Sequence, residues 1–309
     1  MQCTNQLFLI RPSNFVFNSQ TANSNAFQNN VVSDKTGNKL APFLPEFDAF
    51  ADGLVKNGVN VLIFQDTKTP KKPDAIFPNN WISTHSDGTV VLYPMMAANR
   101  RLERRQDIIE MLKEKFEIKR IIDLSESEKN NQFLEGTGSI VFDHANKIAY
   151  ACLSPRTDKD LFVSLCDTLN YKPIYFNAVD GNGKPIYHTN VMMSIGEKFS
   201  VVCAESIPDP EEREKVIANL KTVGHEIIFV STAQMSQFAG NMLCVKTITN
   251  NPILVLSQTA FNSLSKKQKI ELNTFAELLP LQVPTIEAIG GGSVRCMMAE
   301  VFLPLKSGT

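Results

Sequence analysis

Cys296 stands at the end of the run Gly290-Gly291-Gly292-Ser293-Val294-Arg295-Cys296. A cysteine thiolate attacks electrophilic carbon, a histidine shuttles the proton, and a carboxylate orients or hydrogen-bonds its partners. The sequence offers one residue of each remaining type in a matching local setting. His188 lies in Tyr187-His188-Thr189-Asn190, and Glu135 lies in Leu134-Glu135-Gly136-Thr137-Gly138-Ser139. Each stands at or just before a strand-like run. Phe77-Pro78-Asn79-Asn80-Trp81 and Ala239-Gly240-Asn241 occupy the same kind of place. The three glycines let the backbone approach a ligand closely. Neither a P-loop lysine nor G-x-G-x-x-G spacing accompanies them, which argues against a phosphate cradle.

Each residue also has a plainer reading. A lone cysteine is more often core filler than nucleophile. His188 fits a satisfied core histidine, and Glu135 fits a local cap or pair. Their coincidence at one position of a repeat is what raises the joint case. His85 and His144 fall in hairpin turns and read as solvated, and His225 after Gly224 reads as a helix C-terminal cap. The six cysteines form no C-x-x-C pair and none has a histidine at metal-ligand spacing. A zinc site and a disulfide framework are therefore not expected.

The elements that must position these residues recur in the order strand, tight turn, strand, amphipathic helix, strand. Units start at residues 81, 139, 191, 242 and 293. The first has strands Trp81–Thr84 and Thr89–Tyr93, a helix Asn99–Phe116 with Leu102, Ile108, Ile109 and Leu112 on its apolar side, and a strand Arg120–Asp123. The second has Ser139–Phe142, Lys147–Leu153, a helix Asp158–Leu169 with Leu161, Leu165 and Leu169 on one face, and Ile174–Phe176. The third has Val191–Ile195, Lys198–Ala204, a helix from Asp209-Pro210 to Val223, and Glu226–Val230. The fourth has Met242–Thr247, Ile253–Ser257, a helix Lys266–Leu279, and Leu281–Val283. The fifth is split between the termini: Ser293–Leu303, Gln6–Ile10, a helix Pro45–Lys56, and Asn60–Phe64. Equal units that each bury one sheet face arrange radially and close on themselves. The expectation is one closed domain over residues 1–309, a five-bladed α/β propeller, with the terminal strands paired to seal it. The hairpin in each unit argues against a doubly wound parallel sheet. The stretches 14–37 and 177–187 read as loops, either of which could cover a site. In a radial arrangement Glu135, His188 and Cys296 converge near the axis.

Composition sets the outer limits. The 309 residues are 43 % hydrophobic and 20 % charged, with net charge −1. That is a core-forming chain without the basic footprint of nucleic-acid binding. No apolar run reaches the roughly 18 residues of a membrane span. Residues 1–13 make a poor signal peptide, so a cytoplasmic location is expected.

These motifs resemble the pentein superfamily of guanidino- and ureido-modifying enzymes, which includes arginine deiminase, dimethylargininase, amidinotransferases and citrulline-utilization hydrolases. The resemblance covers nearly the whole chain and is nearest the dimethylargininase-like branch that holds the citrulline hydrolases. It implies a five-bladed α/β propeller, Cys296 as nucleophile, and His188 and Glu135 as its catalytic partners. It further implies that Asp74, in Pro73-Asp74-Ala75-Ile76-Phe77, contacts the substrate head group. Arg156, in Ser154-Pro155-Arg156-Thr157, would bind the substrate carboxylate, with Arg100 in Asn99-Arg100-Arg101 as a second such site. The departures are informative. Members acting on arginine-type substrates carry carboxylates after the Phe and after the His. Here Asn79 and Asn80 follow Phe77, and Asn190 follows His188. A guanidinium wants anionic partners, whereas a neutral ureido group is matched by amides. Citrulline hydrolysis to ornithine, ammonia and carbon dioxide is therefore the favoured expectation. Arginine or methylarginine hydrolysis to citrulline, amidino transfer and a non-catalytic binding role are the alternatives. The chemistry needs no metal and no organic cofactor. The expected partner is a small amino-acid substrate, with a homodimer possible and neither nucleic acid nor membrane involved.

Overall fold

The computed structural model describes residues 1–22, 24, 25, 27, 28 and 43–306. Five three-stranded sheets are present, and all five have the same topology. The first strand of each runs antiparallel to the second, and the second runs parallel to the third. In chain order the sheets are Ile82–Thr84, Thr89–Leu92 and Arg120–Asp123, then Val141–Asp143, Ile148–Leu153 and Lys172–Asn177. Met193–Ile195, Phe199–Val202 and Glu226–Phe229 follow, then Leu243–Lys246, Pro252–Ser257 and Glu277–Leu281. The fifth joins the ends of the chain. Ala299–Glu300 pairs with Gln6–Arg11, with Leu7 opposite Glu300, and Gln6–Arg11 pairs with Asn60–Gln65. The first strands of the second and third, the third and fourth, and the fifth and first sheets lie against one another. This is the five-bladed α/β propeller expected from the repeat.

The middle strands carry the core because both of their faces are covered. Val90 and Val91, Ala149 to Cys152, and Leu254 to Leu256 are all buried. Each blade packs a helix outside its sheet: Gln106–Lys115, Lys159–Leu169, Pro210–Thr222, Lys266–Asn273 and Phe43–Lys56. Asp158 and Asp209 cap two of them, accepting backbone N–H bonds from the first turn, which removes otherwise orphaned donors.

Several boundaries differ from the sequence reading. The helix expected over Asn99–Phe116 is two pieces, a 3-10 turn Ala98–Glu103 and a helix Gln106–Lys115, separated by extended backbone at Arg104 and Arg105. Leu102 is exposed, and the 3-10 turn buries Arg100 and Glu103 instead. In the second-blade helix Leu161 is half-buried, and Phe162 and Cys166 join Leu165 and Leu169 inside. The fourth-blade helix stops at Asn273, and its outer strand is Glu277–Leu281 rather than Leu281–Val283. Pro280 is tolerated there because that strand is an edge. The stretch Ser293–Leu303 begins as a helical turn, Val294–Met297, before a two-residue strand.

His85 is buried rather than solvated, because its hairpin folds onto Phe142 and Tyr171. His144 is half-buried; its Nδ1 lies 2.7 Å from the Tyr171 hydroxyl, and its ring packs against Phe302. His225 does not cap its helix with its side chain. Its Nε2 lies 3.0 Å from Asp143 Oδ2, and both are buried.

Candidate active site

The residues singled out as chemical sit on short helical turns that precede the innermost strands. Pro78–Asn80 and Thr189–Val191 are 3-10 turns, and Gly136–Ser139 and Val294–Met297 are single α-turns. A turn at this place lifts the preceding side chain off the sheet and toward the axis. Glu135 and His188 are the residues just before two of these turns, and Cys296 lies within a third. They belong to different blades, yet they meet.

The meeting point is a small cavity lined by Asp74, Asn80, Arg100, Arg156, His188 and Cys296, with Asn25, Phe77, Tyr187 and the Gly290 and Gly292 backbone completing the wall. His188 Nε2 lies 2.8 Å from Glu135 Oε2. Arg156 Nη1 lies 3.5 Å and Arg100 Nη1 3.8 Å from that same oxygen. Burial alone would raise the Glu135 carboxyl, but Arg156, His188 and Arg100 outweigh it and hold the group well below the usual carboxylate range. Burial pulls His188 down to about 4 despite its bond to Glu135, so the imidazole is neutral at neutral pH. If Nε2–H is the donor to Glu135, Nδ1 is the basic nitrogen.

Arg100 is buried and its fork is occupied. Nε and Nη2 make a bidentate pair with Glu103, each bond 2.9 Å. Nη1 donates to Asn80 Oδ1 at 3.0 Å, and Nε lies 3.6 Å from Asp74. Arg156 stacks over Tyr187, its guanidinium carbon 4.9 Å from the ring centroid. Its Nε donates to Ser24 Oγ at 3.1 Å, and Nη2 donates to the Thr21 carbonyl at 3.2 Å and to Ser24 Oγ. The described residues Thr21 and Ser24 thus cover the cavity. Asn18 donates to Asp74 at 2.7 Å, and Asn25 donates to the Gly290 carbonyl at 3.1 Å. Residues 29–37 of the expected loop lie outside the described residues.

Charge in the site is nearly balanced. Three carboxyls (Asp74, Glu103, Glu135) face two guanidiniums (Arg100, Arg156), and burial pushes Glu103 up to about 7 and Asp74 upward. Asn79 and Asn190 are fully buried beside the cavity rather than on its wall. Both side-chain polar atoms of Asn79, Nδ2 of Asn80, Oδ1 of Asn190 and Oδ1 of Asp74 lack a hydrogen-bond partner among the described residues. Arg100 fixes the orientation of Asn80. Arginine only donates, so Oδ1 faces it and Nδ2 is left as a donor. Among the described residues no cluster of three or more His, Cys, Asp or Glu could hold a metal ion.

Asn241 was not assigned a role from the sequence. Its side chain contacts Cys296 Sγ at 3.3 Å, the Asn190 carbonyl at 3.1 Å and the Arg295 N–H at 3.2 Å. The available signal was its position, just before the inner strand of the fourth blade.

No helix among the described residues is long and apolar enough to cross a membrane. The solved structures similar to this chain include the arginine dihydrolase ArgZ from the ornithine–ammonia cycle in Cyanobacteria, 14 % identical with a TM-score of 0.74. That match covers 97 % of this chain and 41 % of full-length ArgZ, so this chain spans about two fifths of that protein. A substrate-bound Cys-to-Ser mutant of the ArgZ N-terminal domain is 15 % identical, with a TM-score of 0.71 and coverage of 96 % and 99 %. A dimethylarginine dimethylaminohydrolase His-to-Gly variant, carrying an adduct with S-methyl-L-thiocitrulline, is 12 % identical with a TM-score of 0.63 and coverage of 96 % and 99 %. At such identities the likeness speaks for the fold. Comparison with curated protein sequences gives no match. The profile of the family described as N,N dimethylarginine dimethylhydrolase, eukaryotic, matches residues 11–303. With nearly its whole length matched, this chain belongs to that dimethylargininase family of the pentein superfamily.

Proposed function

We propose that this chain hydrolyses the ureido group of citrulline to give ornithine, ammonia and carbon dioxide through a covalent intermediate on Cys296. The observation that carries the substrate choice is Asn80. The residue lines the cavity, Arg100 holds its Oδ1, and its amide nitrogen is left as a buried donor lacking a partner among the described residues. A guanidinium has only donors and would leave it unmatched. A ureido carbonyl accepts from it. Leaving a buried donor unpaired costs about 1–3 kcal/mol. Asp74, on the cavity wall, supplies an unpaired acceptor, Oδ1, for a ureido N–H group. The near balance of buried charge points the same way, since a cationic head group would find little uncompensated negative charge.

The proposed steps use these residues as follows. Neutral His188 takes the Cys296 proton at Nδ1, and Glu135 stabilises the imidazolium. Sγ attacks the ureido carbon. The bond from that carbon to the δ-nitrogen breaks, and His188 returns the proton to that nitrogen, releasing ornithine. His188 then deprotonates water, which attacks the carbamoyl thioester. The C–S bond breaks, and the carbamate released decomposes to ammonia and carbon dioxide. Arg156 anchors the α-carboxylate, which takes the place of Ser24 Oγ and the Thr21 carbonyl. Arg100 acts chiefly through Asn80, because Glu103 already fills its fork.

A second reading, arginine hydrolysis, draws on the acidic Asp74 and on ArgZ, a fold relative that is an arginine dihydrolase. The deciding experiment incubates purified protein with citrulline, arginine and mono- and dimethylarginine, and reads ornithine, citrulline and ammonia by mass spectrometry. Ornithine from citrulline with arginine inert is expected. Citrulline from arginine or a methylarginine would overturn the ureido assignment. Transfer of an amidino group to an added amine would make the chain a transferase, and no turnover with no adduct would favour a binding role.

A further inference from the structure

The neutral histidine leaves a question about the sulfur. A thiolate in a buried site needs donors, and the imidazole of His188 is bonded to Glu135. Arg295, next to Cys296 in sequence, turns away to the Met298 carbonyl and to Glu300. The donors within reach of Sγ are amides. Asn241 Nδ2 lies 3.3 Å away and Asn190 Nδ2 3.6 Å away.

The orientation of Asn241 is dictated by its other neighbours. The Arg295 N–H can only donate, and it meets Oδ1 at 3.2 Å. The Asn190 carbonyl can only accept, and it meets Nδ2 at 3.1 Å. A flipped amide would set N–H against N–H and oxygen against oxygen. In this orientation Nδ2, at 3.3 Å, lies nearer Sγ than Oδ1, which accepts from the Sγ thiol at 3.7 Å. Asn190 and Asn241 precede the inner strands of successive blades, so the ring geometry brings both amides to one atom.

We propose that Asn241, supported by Asn190, is a catalytic residue that donates its amide N–H to the Cys296 thiolate and so maintains the nucleophile. The proposal rests on the reading of Cys296 as the nucleophile, and it is independent of which substrate is cleaved. When the Sγ–H bond breaks, the proton passes to His188 and the charge on sulfur is met by the two amides. Hydrogen bonds to an ionised group are roughly twice as strong as neutral ones.

The test is the rate at which iodoacetamide alkylates Cys296 in the folded protein at fixed pH without substrate, with the modified residue identified by mass spectrometry. Asn241→Asp is nearly isosteric and still accepts the Arg295 N–H, but it turns a carboxylate oxygen toward sulfur. Asn241→Ala removes the donor outright. We expect alkylation at least about tenfold slower in Asn241→Ala, slower still in Asn241→Asp, and a smaller loss in Asn190→Ala. With citrulline, kcat should fall in parallel while KM stays within about twofold of the parent. A purely structural role would lower the melting temperature and leave the alkylation rate unchanged, and that result would overturn the proposal. Absence of selective Cys296 alkylation in the parent would instead remove the nucleophile assignment on which both readings stand.

Discussion

Gly138 sits between the two groups that the proposed chemistry asks to be still. A methyl group on it would lie 2.4 Å from Asn80 Nδ2 and 2.7 Å from His188 Nδ1, against an ordinary contact of at least 3.4 Å. Asn80 would have to retreat by about 1 Å and His188 by somewhat less. Neither is a free side-chain tip. Asn80 is held at 3.0 Å by Arg100 and His188 at 2.8 Å by Glu135, and all four residues are buried. Misplacing a reacting group by about 1 Å costs on the order of a hundredfold in rate, or about 2.7 kcal/mol. Overpacking a filled interior costs about 1–3 kcal/mol of stability. Gly138→Ala should therefore lower kcat/KM for citrulline roughly a hundredfold, with a modest loss in urea stability. Gly181→Ala is the control. No atom lies within 4 Å of its Cβ position, and both quantities should hold there. Ornithine release by mass spectrometry and equilibrium unfolding measure the two. A Gly138→Ala protein with parental kcat/KM and parental stability would refute the reasoning, because Asn80 and His188 would then not be confined as the distances require.

Three further outcomes are expected. Cys296→Ala should abolish turnover and leave the circular dichroism spectrum and melting temperature near those of the parent; parental activity would reject the covalent route. Asn80→Asp keeps an acceptor toward Arg100 and replaces the cavity donor with an acceptor, so the ratio of citrulline to arginine kcat/KM should fall about 10- to 100-fold. An unchanged ratio would mean that this residue does not read head-group polarity. Burial also pulls His85 down to about 4, as it does His188. Both are depressed below the unfolded value of about 6.5, so their contribution to stability is full above that pH and is lost as pH falls toward 4. Glu135 is depressed in the same sense, and its contribution fades below about pH 4.3. The urea midpoint should fall between pH 7 and 4.5, and His85→Gln should flatten part of that fall; a flat parental profile would contradict the burial of these groups.

The repeat was legible because each blade needs its own apolar pattern. Asp-Gly in the first hairpin and Asp209-Pro210 at a helix start are local signals with local causes, and the elements appear where they point. The split fifth blade was legible from the same pattern. What the sequence hid were the turns that break it. Ser139 and Val294–Met297 read as strand beginnings, yet each belongs to a single helical turn. Arg100 looked like one charge of a helix face. Its burial depends on Glu103 three residues on, together with Asp74 and Asn80 from the preceding loop, a set no periodicity reveals. His85 hid for a related reason: Phe142 and Tyr171, both in the second blade, cover it, whereas His225 does stand at the helix C-terminal cap, its backbone N–H donating to the Leu220 carbonyl at 3.0 Å.

Under the proposed function, the helical turns are what would let the site discriminate charge. A strand start alone would leave Glu135, His188 and Cys296 pointing along sheet faces of three different blades. The turns bring them to one axis, where burial penalises every unpaired charge. The carboxyls are answered from within: Glu103 and Asp74 by Arg100, and Glu135 by Arg100, Arg156 and His188. Once the fold neutralises its own acids, a cationic ligand gains little electrostatic attraction and still loses its hydration. A neutral ligand loses less and can satisfy the amides that remain. Under the proposed function, selectivity for a ureido group would follow from the pairing of Glu103 with Arg100 as much as from any asparagine. Weakening that pair with Glu103→Gln should free Arg100, disorient Asn80 and lower citrulline kcat/KM without creating arginine turnover. Gain of arginine turnover in that variant would show that the acids, rather than the oriented amide, set the preference.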